Sequence, residues 1–250
     1  MQQAFPEQHR KIVAAVTAAA RRLLKIRRVA KRKVLHGAGL QSYLRAYYAN
    51  VEALDLTGRE PDELASIALS HLEFARQRRG RALVRVFNPT LEEHGYRSAH
   101  TVVEMVNDDM PFLVDSIGLA LTQRALTLHF LAHPIFAVTR DAAGILQVLQ
   151  ERSQGSDDRQ QRLESFQHIE VDRIVDPAIL RSLQLQIERS MRDVRVACAD
   201  WSKMRSAVRQ TADDLNALSS RFDARDVSET QALLAWMESR HFTFLGYREY

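Results

Sequence analysis

Residues 101–116 read Thr-Val-Val-Glu-Met-Val-Asn-Asp-Asp-Met-Pro-Phe-Leu-Val-Asp-Ser, and this stretch decides the fold. Its first six residues are rich in β-branched side chains and predict a strand. Asp109, Met110 and Pro111 predict the start of a helix that runs to about Arg124, because proline is favoured near the first turn of a helix. A strand that leads directly into a helix is typical of a domain in which helices pack on a sheet.

The chain beyond this helix continues with strands and a second helix. The predicted elements are, in order, a strand over 126–140, a turn at 141–144, a strand over 145–150, a polar loop over 151–163, a strand over 166–174 and a helix over 176–199. We expect the first strand to be interrupted at His133-Pro134, because proline cannot donate to a sheet ladder. This order predicts an α+β fold, a ferredoxin-like antiparallel sheet with helices on one face. Residues 82–87 predict a short strand that replaces the usual last strand at one edge.

The remaining residues predict helices on both sides of this domain. Apolar periodicity and helix-end signals predict helices over 8–35, 40–55 and 61–78 before it, and over 202–221 and 228–240 after it. We expect the last residues, from Phe242 to Tyr250, to form a strand that the end of the chain cuts off. The predicted domains are a helical region over 1–80, the α+β domain over 81–200, and a helical linker with the first strand of a truncated next domain over 201–250.

Charge is concentrated at the start of the chain. Residues 1–36 contain ten Lys or Arg and one acid, so with a total of +4 the rest of the chain carries a net charge of −5. A basic amphipathic helix of this kind packs on a partner, lies on a membrane surface or binds nucleic acid. The alanine-rich stripe lacks the aromatic residues that the last two uses favour, so we expect a structural helix, with no nucleic acid and no membrane as partner.

Composition excludes several classes of protein. Hydrophobic residues make up 46% of the chain and charged residues 26%, as in ordinary globular proteins. A single cysteine, Cys198, rules out an internal disulfide, and no apolar run approaches the roughly 18 residues that span a bilayer. The start of the chain has no secretory signal. We therefore expect a cytoplasmic protein.

Several spaced blocks of the sequence resemble those of a known protein family. They are Thr-Val-Val-Glu at 101–104, Asn-Asp-Asp-Met-Pro-Phe-Leu-Val-Asp-Ser at 107–116, His-Phe-Leu-Ala-His-Pro at 129–134, Arg-Asp at 140–141 with Gly144, Glu-Ser-Phe at 164–166, His-Ile-Glu-Val-Asp-Arg at 168–173, Asp-Trp at 200–201, Leu-Ala-Trp at 234–236 and His-Phe-Thr-Phe-Leu-Gly-Tyr-Arg at 241–248. Over roughly residues 85–250 the chain resembles the N-terminal part, with the first ACT-type domain, of the very large bacterial NAD-specific glutamate dehydrogenases. The block at 107–116 is the most specific.

This resemblance implies that the segment itself is not catalytic. In that family the dehydrogenase and its NAD-binding domain lie far toward the C-terminus, so no catalytic residue, cofactor or metal is expected here, and NAD belongs to the full-length protein. The sequence agrees, because it lacks a G-x-G-x-x-G dinucleotide fingerprint. The resemblance implies an oxidoreductase that converts L-glutamate, NAD and water to 2-oxoglutarate, ammonia and NADH. This segment would serve allosteric regulation and oligomerisation, with other domains of the chain, a second copy and an amino-acid effector as partners.

The turn after the strand at 101–106 is the candidate effector site. Its candidate residues are Asn107, Asp108, Asp109, Met110 and Asp115. A helix N-terminus offers unpaired N–H groups, and the acids could hold an amino or guanidinium group. The alternative is that Asp108 and Asp109 cap the helix through their carboxylates, which is the commoner use of such residues and the one we favour.

A second group of polar residues is expected on one face of the sheet. It comprises His129, His133, His168, Glu170 and Asp172. Imidazole and carboxylate suit Zn or Mn, but the spacing is not that of a metal site, and a solvated sheet face predicts the same alternation. We expect this face to form an interface with another module of the same kind.

Two further functions remain open from the sequence. The first is a stand-alone amino-acid-binding regulatory module that is not attached to a dehydrogenase. The second is an adaptor that binds nucleic acid or membrane through the basic helix at 8–35, with binding that falls steeply as salt rises.

Overall fold

The computed structural model describes residues 7–26, 38–151, 162–217, 222–241, 244 and 246. It divides into two compact units, the first drawn from residues 1–109 and 114–189 and the second from residues 110–113 and 190–250. Within the described ranges, no helix is both long and apolar enough to cross a membrane. The predicted loop at 151–163 and the predicted strand from Phe242 to Tyr250 lie mostly outside the described residues.

Among the described residues, four helices open the first unit. They are α1 (Glu7–Ile26), α2 (Ala38–Tyr47), α3 (Ala53–Leu56) and α4 (Pro61–Phe74). The second half of the predicted helix at 8–35, from residue 27 on, lies outside the described residues. The single helix predicted over 40–55 is wrong, because a turn over residues 48–51 that contains Asn50 separates α2 from α3. As predicted, Pro61 occupies the start of α4, but the helix ends four residues before Arg78.

These helices pack through alanine and tyrosine side chains. Val16, Ala19 and Ala20 of α1 are buried, and their small size allows close approach to α4. Two buried tyrosines of the second helical segment donate their hydroxyls to backbone oxygens of α4, Tyr43 to Ala68 at 2.7 Å and Tyr48 to Leu64 at 2.6 Å. The apolar stripe that the sequence shows on α1 is therefore packed inside its own chain.

In the described part of the chain, six strands form one antiparallel sheet. They are β1 (Leu83–Phe87), β2 (Thr101–Asp108), β3 (Leu128–Ala132), β4 (Ile135–Arg140), β5 (Leu146–Glu151) and β6 (Arg162–Val171). The sheet order is β1-β2-β6-β4-β5, and β3 also pairs with β6. The predicted α+β fold is confirmed, and so is the edge position of the early strand, because β1 lies beside β2 where the last strand of a ferredoxin-like sheet normally lies.

Local sequence explains the breaks between the strands. The long strand predicted at 126–140 is divided into β3 and β4 at His133-Pro134, as expected for a residue without an N–H. Gly144 takes a φ of +79° in the turn that leads to β5. The helix after β2 is α5 (Leu113–Thr122), which begins later than predicted because Phe112 holds a left-handed backbone with a φ of +67°.

Both faces of the sheet are buried. One face carries Val106, Phe136 and Phe166, which share a hydrophobic core with the helices α1, α2 and α4. The opposite face carries Val103 and Ile169, which are also buried. The helix α6 (Pro177–Ala217) begins beside α5 on that side, with Arg124 donating to Ser182 and Gln186. The sheet therefore has the predicted helices on one face and, in addition, the N-terminal helices on the other.

The second unit is built on the long helix α6. The sequence predicted two helices that meet near Asp200-Trp201, which is wrong, because no glycine or proline interrupts the run and the helix continues to Ala217. The helix α7 (Ala224–Trp236) begins where Asp223 accepts a hydrogen bond from the Arg225 N–H at 2.8 Å. A π-helical turn, Met237–His241, follows it, and Glu238 in this turn pairs with Arg205 of α6 at 2.7 Å.

Candidate functional site

The predicted effector residues follow one another along the chain from the end of β2 to the first turn of α5. Asn107 is buried, Asp108 and Asp109 are half-buried, and Asp115 is exposed in the first turn of α5. Met110 is half-buried and belongs to the second unit. The favoured capping role of Asp108 and Asp109 is wrong, because an N-cap directly precedes the first helical residue and α5 begins only at Leu113.

Asp108 instead belongs to a buried group that we call the arginine cluster, made of Arg78, Asp108, Arg140 and Glu164. The Glu164 carboxylate has no exposed surface and accepts from Arg78 Nε at 3.0 Å and from Arg140 Nη2 at 2.7 Å. Arg78 also donates to the Asp108 carboxylate. Two guanidinium groups and two carboxylates thus neutralise one another under the helices.

The backbone around Arg78 holds this cluster in place. The Arg78 N–H donates to the Gly144 carbonyl, and the Leu146 N–H donates to the Arg76 carbonyl, both at 2.9 Å. A Cβ on Gly144 would lie 2.4 Å from the Arg78 carbonyl oxygen, so only glycine allows this approach. The segment after α4 is therefore fixed to the β4–β5 hairpin, which places Arg78 at the end of β2 and the start of β6.

The structure sets His133 apart from the other four polar residues predicted to share one sheet face. His133 contacts Ser165 at 2.8 Å, on the face opposite to His168, since Ala132 and not His133 is the cross-strand partner of His168. His129 pairs with Asp172 at 2.7 Å. The His129 ring also stacks on His100, whose Nδ1 lies 3.2 Å from Glu170 Oε2, so His129 and Asp172 lie close to Glu170.

His168 and Glu170 lie beneath the N-terminal helices of the same chain. His168 has no exposed side-chain surface, and Glu170 is 1% exposed. The His71 ring of α4 lies 6.3 Å from the His168 ring, between centroids. The interface with another module that was expected for this face is thus replaced, at these two residues, by an interface within the chain.

A second buried ionic group surrounds His168, and we call it the histidine cluster: Arg59, Arg85, Glu104, His168 and Glu170. His168 Nδ1 donates to Glu104 Oε1 at 3.0 Å, and its Nε2 lies 3.6 Å from Glu170 Oε1. Arg59 forms two parallel bonds of 2.8 Å with Glu170, and Arg85 Nε donates to Glu104 at 2.7 Å. Each carboxylate is therefore shared by the histidine and one arginine.

This arrangement shifts the protonation of all three central groups. Burial opposes a charge on His168, but the hydrogen bond to Glu104 and the negative charges of Glu104 and Glu170 outweigh it and raise the His168 pKa. Burial would raise the pKa of the Glu104 carboxyl, but His71, His168 and Arg85 lower that pKa to about 2. Burial likewise opposes the charge on Glu170, and Arg59 with His168 lowers its pKa well below the usual range. The cluster therefore holds an imidazolium between two carboxylates.

His71, only a few ångströms away, is held neutral. Burial is the main cause that lowers its pKa to about 4. One ring nitrogen contacts the Tyr47 hydroxyl at 2.8 Å, and the other contacts the Met105 carbonyl oxygen at 3.1 Å. Since a carbonyl only accepts, Nε2 carries the proton and Nδ1 accepts from the tyrosine.

The same residues form the group that most resembles a metal site in the described part of the chain. Ligand atoms of His71, Glu104 and His168 all lie within 4.8 Å of one another. Both His71 nitrogens already have hydrogen-bond partners, and the Arg85 guanidinium occupies the second Glu104 oxygen. A cation would have to displace these bonds in a site without solvent access, so the donor set fits a hydrogen-bonded ionic network and not a metal.

Sequence reasoning missed most members of both clusters. A signal existed for Glu104, because a lone acid inside the β-branched run 101–106 is buried if both sheet faces are covered. Arg78 gave no such signal, since it lies among Arg76, Arg79 and Arg81, and only the fold decides which of the four is buried.

Comparisons with known proteins agree on one family. Residues 43–187 match the family described as glutamate dehydrogenase, ACT1 domain. The chain is 37% identical over 215 residues to a protein of Halomonas elongata named NAD-specific glutamate dehydrogenase, a match that covers 85% of this chain and 13% of that protein. A protein of the same name from Pseudomonas aeruginosa is 34% identical over 210 residues, covering 83% of this chain and 13% of its own length.

Proposed function

The chain belongs to the glutamate dehydrogenase family that carries the ACT1 domain, and from this premise we propose that it is the regulatory and oligomerisation segment of an NAD-dependent enzyme. The whole cytoplasmic protein would oxidise L-glutamate with NAD and water to 2-oxoglutarate, ammonia and NADH. The chain spans about 13% of the length of the curated relatives it matches. In this proposal the chemistry and the NAD site therefore lie in other domains of the full-length protein.

The observation that carries the proposal is the family match over residues 43–187. The chemistry of the described residues supports a non-catalytic role. Strongly shifted pKa values commonly mark catalytic groups. Here such values belong to Glu104, His168 and Glu170, whose opposite charges lie side by side beneath the N-terminal helices. Their position between helices and sheet favours a structural use of these charges.

The regulatory part of the proposal concerns the end of β2. Asp109 and Asp115 are accessible there, while Asp108 is already paired with Arg78. An amino-acid effector would place its ammonium group, or the guanidinium of an arginine, against the two accessible acids. A second copy of the chain and the other domains of the protein would be the further partners of this segment.

Calorimetric titration of the chain with arginine, aspartate and glutamate tests this regulatory part. We expect saturable binding of at least one of them, weakened about tenfold or more by D109N/D115N, because each charge-assisted bond contributes about 1.5–3 kcal/mol. The matched control is D193N/D213N, which removes two exposed acids of α6 and should leave the affinity within about twofold. Silence across the three amino acids, or an equal loss in both variants, would contradict an effector site at this turn.

A further inference from the structure

An open cleft lies along the segment that connects α4 to β1. It has a volume of about 620 Å³ and is lined by Gln77, Arg79, Arg81, Ala82 and Leu83. This volume lies within the range of small-molecule sites, about 300–1,000 Å³. Two guanidinium groups and one amide supply the polar part of its wall, and alanine and leucine supply an apolar part.

The positive charge of this cleft is not neutralised within the described part of the chain. Neither Arg79 nor Arg81 forms an ion pair with a described carboxylate, and the bond that Arg79 makes is from Nε to the Ala143 carbonyl at 3.3 Å. The acid of the adjacent hairpin, Asp141, accepts instead from its own turn, from the N–H groups of Ala143 and Ile145 at 2.9 Å. Among the described residues, no carboxylate therefore takes up the guanidinium groups of the two arginines on this cleft.

The backbone that carries these arginines is fixed. Arg78, between them and α4, is anchored in the arginine cluster, and its Nη1 donates to the Arg81 carbonyl at 3.3 Å. Gln77 donates to the Ala143 carbonyl at 3.2 Å, so the residue before Arg78 is also held to the β4–β5 hairpin. Binding groups on a fixed segment lose less entropy when a ligand binds.

From this geometry we propose that the cleft binds a small organic phosphate. Guanidinium forks match the oxygens of phosphate and of carboxylate. A phosphate monoester carries a charge of about −1.5 to −2 at pH 7, which matches two unneutralised arginines better than a single carboxylate does. The cleft is much larger than one phosphate group, so the organic part of the ligand lies against Ala82 and Leu83. The lining of the cleft contains none of the predicted effector residues, and its occupancy does not depend on the dehydrogenase activity proposed for the whole protein.

Titration calorimetry of the intact chain with phenyl phosphate, inorganic phosphate and benzoate tests the site. Phenyl phosphate should bind saturably at one site, about tenfold or more tightly than benzoate, and inorganic phosphate should bind more weakly than phenyl phosphate. R79A/R81A should weaken phenyl phosphate binding by about tenfold or more for each arginine removed. The affinity of R79K/R81K for phenyl phosphate should lie between that of the unaltered chain and that of R79A/R81A, because lysine keeps the charge but lacks the guanidinium fork.

The control is R181A/R189A, which removes two exposed arginines of α6 and changes the net charge equally. Its affinity for phenyl phosphate should stay within about twofold of the unaltered chain, and the thermal midpoint of R79A/R81A should be unchanged because both side chains are exposed. The absence of saturable binding by phenyl phosphate overturns the site. Equal affinity for benzoate overturns the phosphate assignment, and an equal loss in the control variant overturns the placement in this cleft.

Discussion

The two buried ionic clusters lie on the same face of one sheet and differ in the groups that they contain. The arginine cluster at the start of β6 joins Arg78 and Arg140 to Glu164 and contains no histidine. The histidine cluster at the end of β6 holds His168 between Glu104 and Glu170. One sheet face thus combines an ionic group of guanidinium and carboxylate alone with an ionic group that is built around a buried imidazole.

The arginines that bind Glu164 and Glu170 also differ in access to water. Glu164 is 0% exposed and both of its arginines are buried, whereas Arg59 of the histidine cluster keeps 19% of its side chain exposed. Charges without access to water depend entirely on their partners. We therefore expect the arginine cluster to be more sensitive to the loss of one member.

Removal of the Glu164 carboxylate should cause the largest loss of stability. E164Q leaves Arg78 and Arg140 buried with Asp108 as their remaining acid, and should lower the free energy of unfolding by about 3–5 kcal/mol. Urea unfolding checks this value. E151Q is the matched control, since Glu151 forms an exposed pair with Arg45 that contributes about 0–1 kcal/mol. Equal losses in the two variants would mean that burial does not distinguish the pairs.

Removal of the Glu170 carboxylate in the histidine cluster should lower the free energy of unfolding by less. E170Q removes the two parallel bonds to Arg59, and we expect a loss of about 1.5–3 kcal/mol, because the partly exposed guanidinium can regain water. The same unfolding experiment compares it directly with E164Q. A loss larger than that of E164Q would reverse the order that the exposures imply.

The two buried histidines should give opposite pH dependences. The His71 pKa falls from 6.5 to about 4 in the folded chain, so its stabilisation is complete above pH 6.5 and is lost as the pH falls toward 4, by up to about 1.4 kcal/mol per pH unit. The His168 pKa is raised, so its stabilisation is complete below pH 6.5 and is lost as the pH rises through the folded-state value.

Unfolding free energies between pH 4 and 9 measure both effects. H71Q should flatten the acid side of the profile and H168Q the alkaline side, each relative to the unaltered chain. If both variants flattened the same side, one of the two protonation states would be assigned incorrectly.

Loss of an exposed ion pair should change the free energy of unfolding least. Arg22 of α1 and Asp62 of α4 lie 3.0 Å apart with more than half of each side chain exposed. D62N should therefore change the free energy of unfolding by only about 0.2–1 kcal/mol, and the change should shrink in high salt. A loss as large as that of E170Q would show that this helix pair depends on its surface charges.

The sequence was informative where the pattern is local. Pro61 marked the start of α4, His133-Pro134 marked the break between β3 and β4, and residues 82–87 gave the edge strand. In each case a backbone property of the residues themselves decides the structure.

The sequence was less informative where long-range packing decides. Nothing local shows that α1, α2 and α4 cover the second sheet face, and so the burial of His168 and Glu170 was missed. The helix caps proposed for Asp108 and Asp109 failed because α5 begins only at Leu113, and Arg78, 30 residues earlier, takes the Asp108 carboxylate instead. Partners distant in sequence change the use of a residue without leaving a local signal.

The rate of NADH formation from L-glutamate, measured under the same conditions for the full-length protein and for the 250-residue chain, tests where catalysis lies. We expect glutamate-dependent reduction of NAD by the full-length protein and no rate above the enzyme-free background from the chain alone. Turnover by the chain alone would contradict the assignment of catalysis to other domains. Failure of the full-length protein to reduce NAD with L-glutamate would contradict the proposed activity itself.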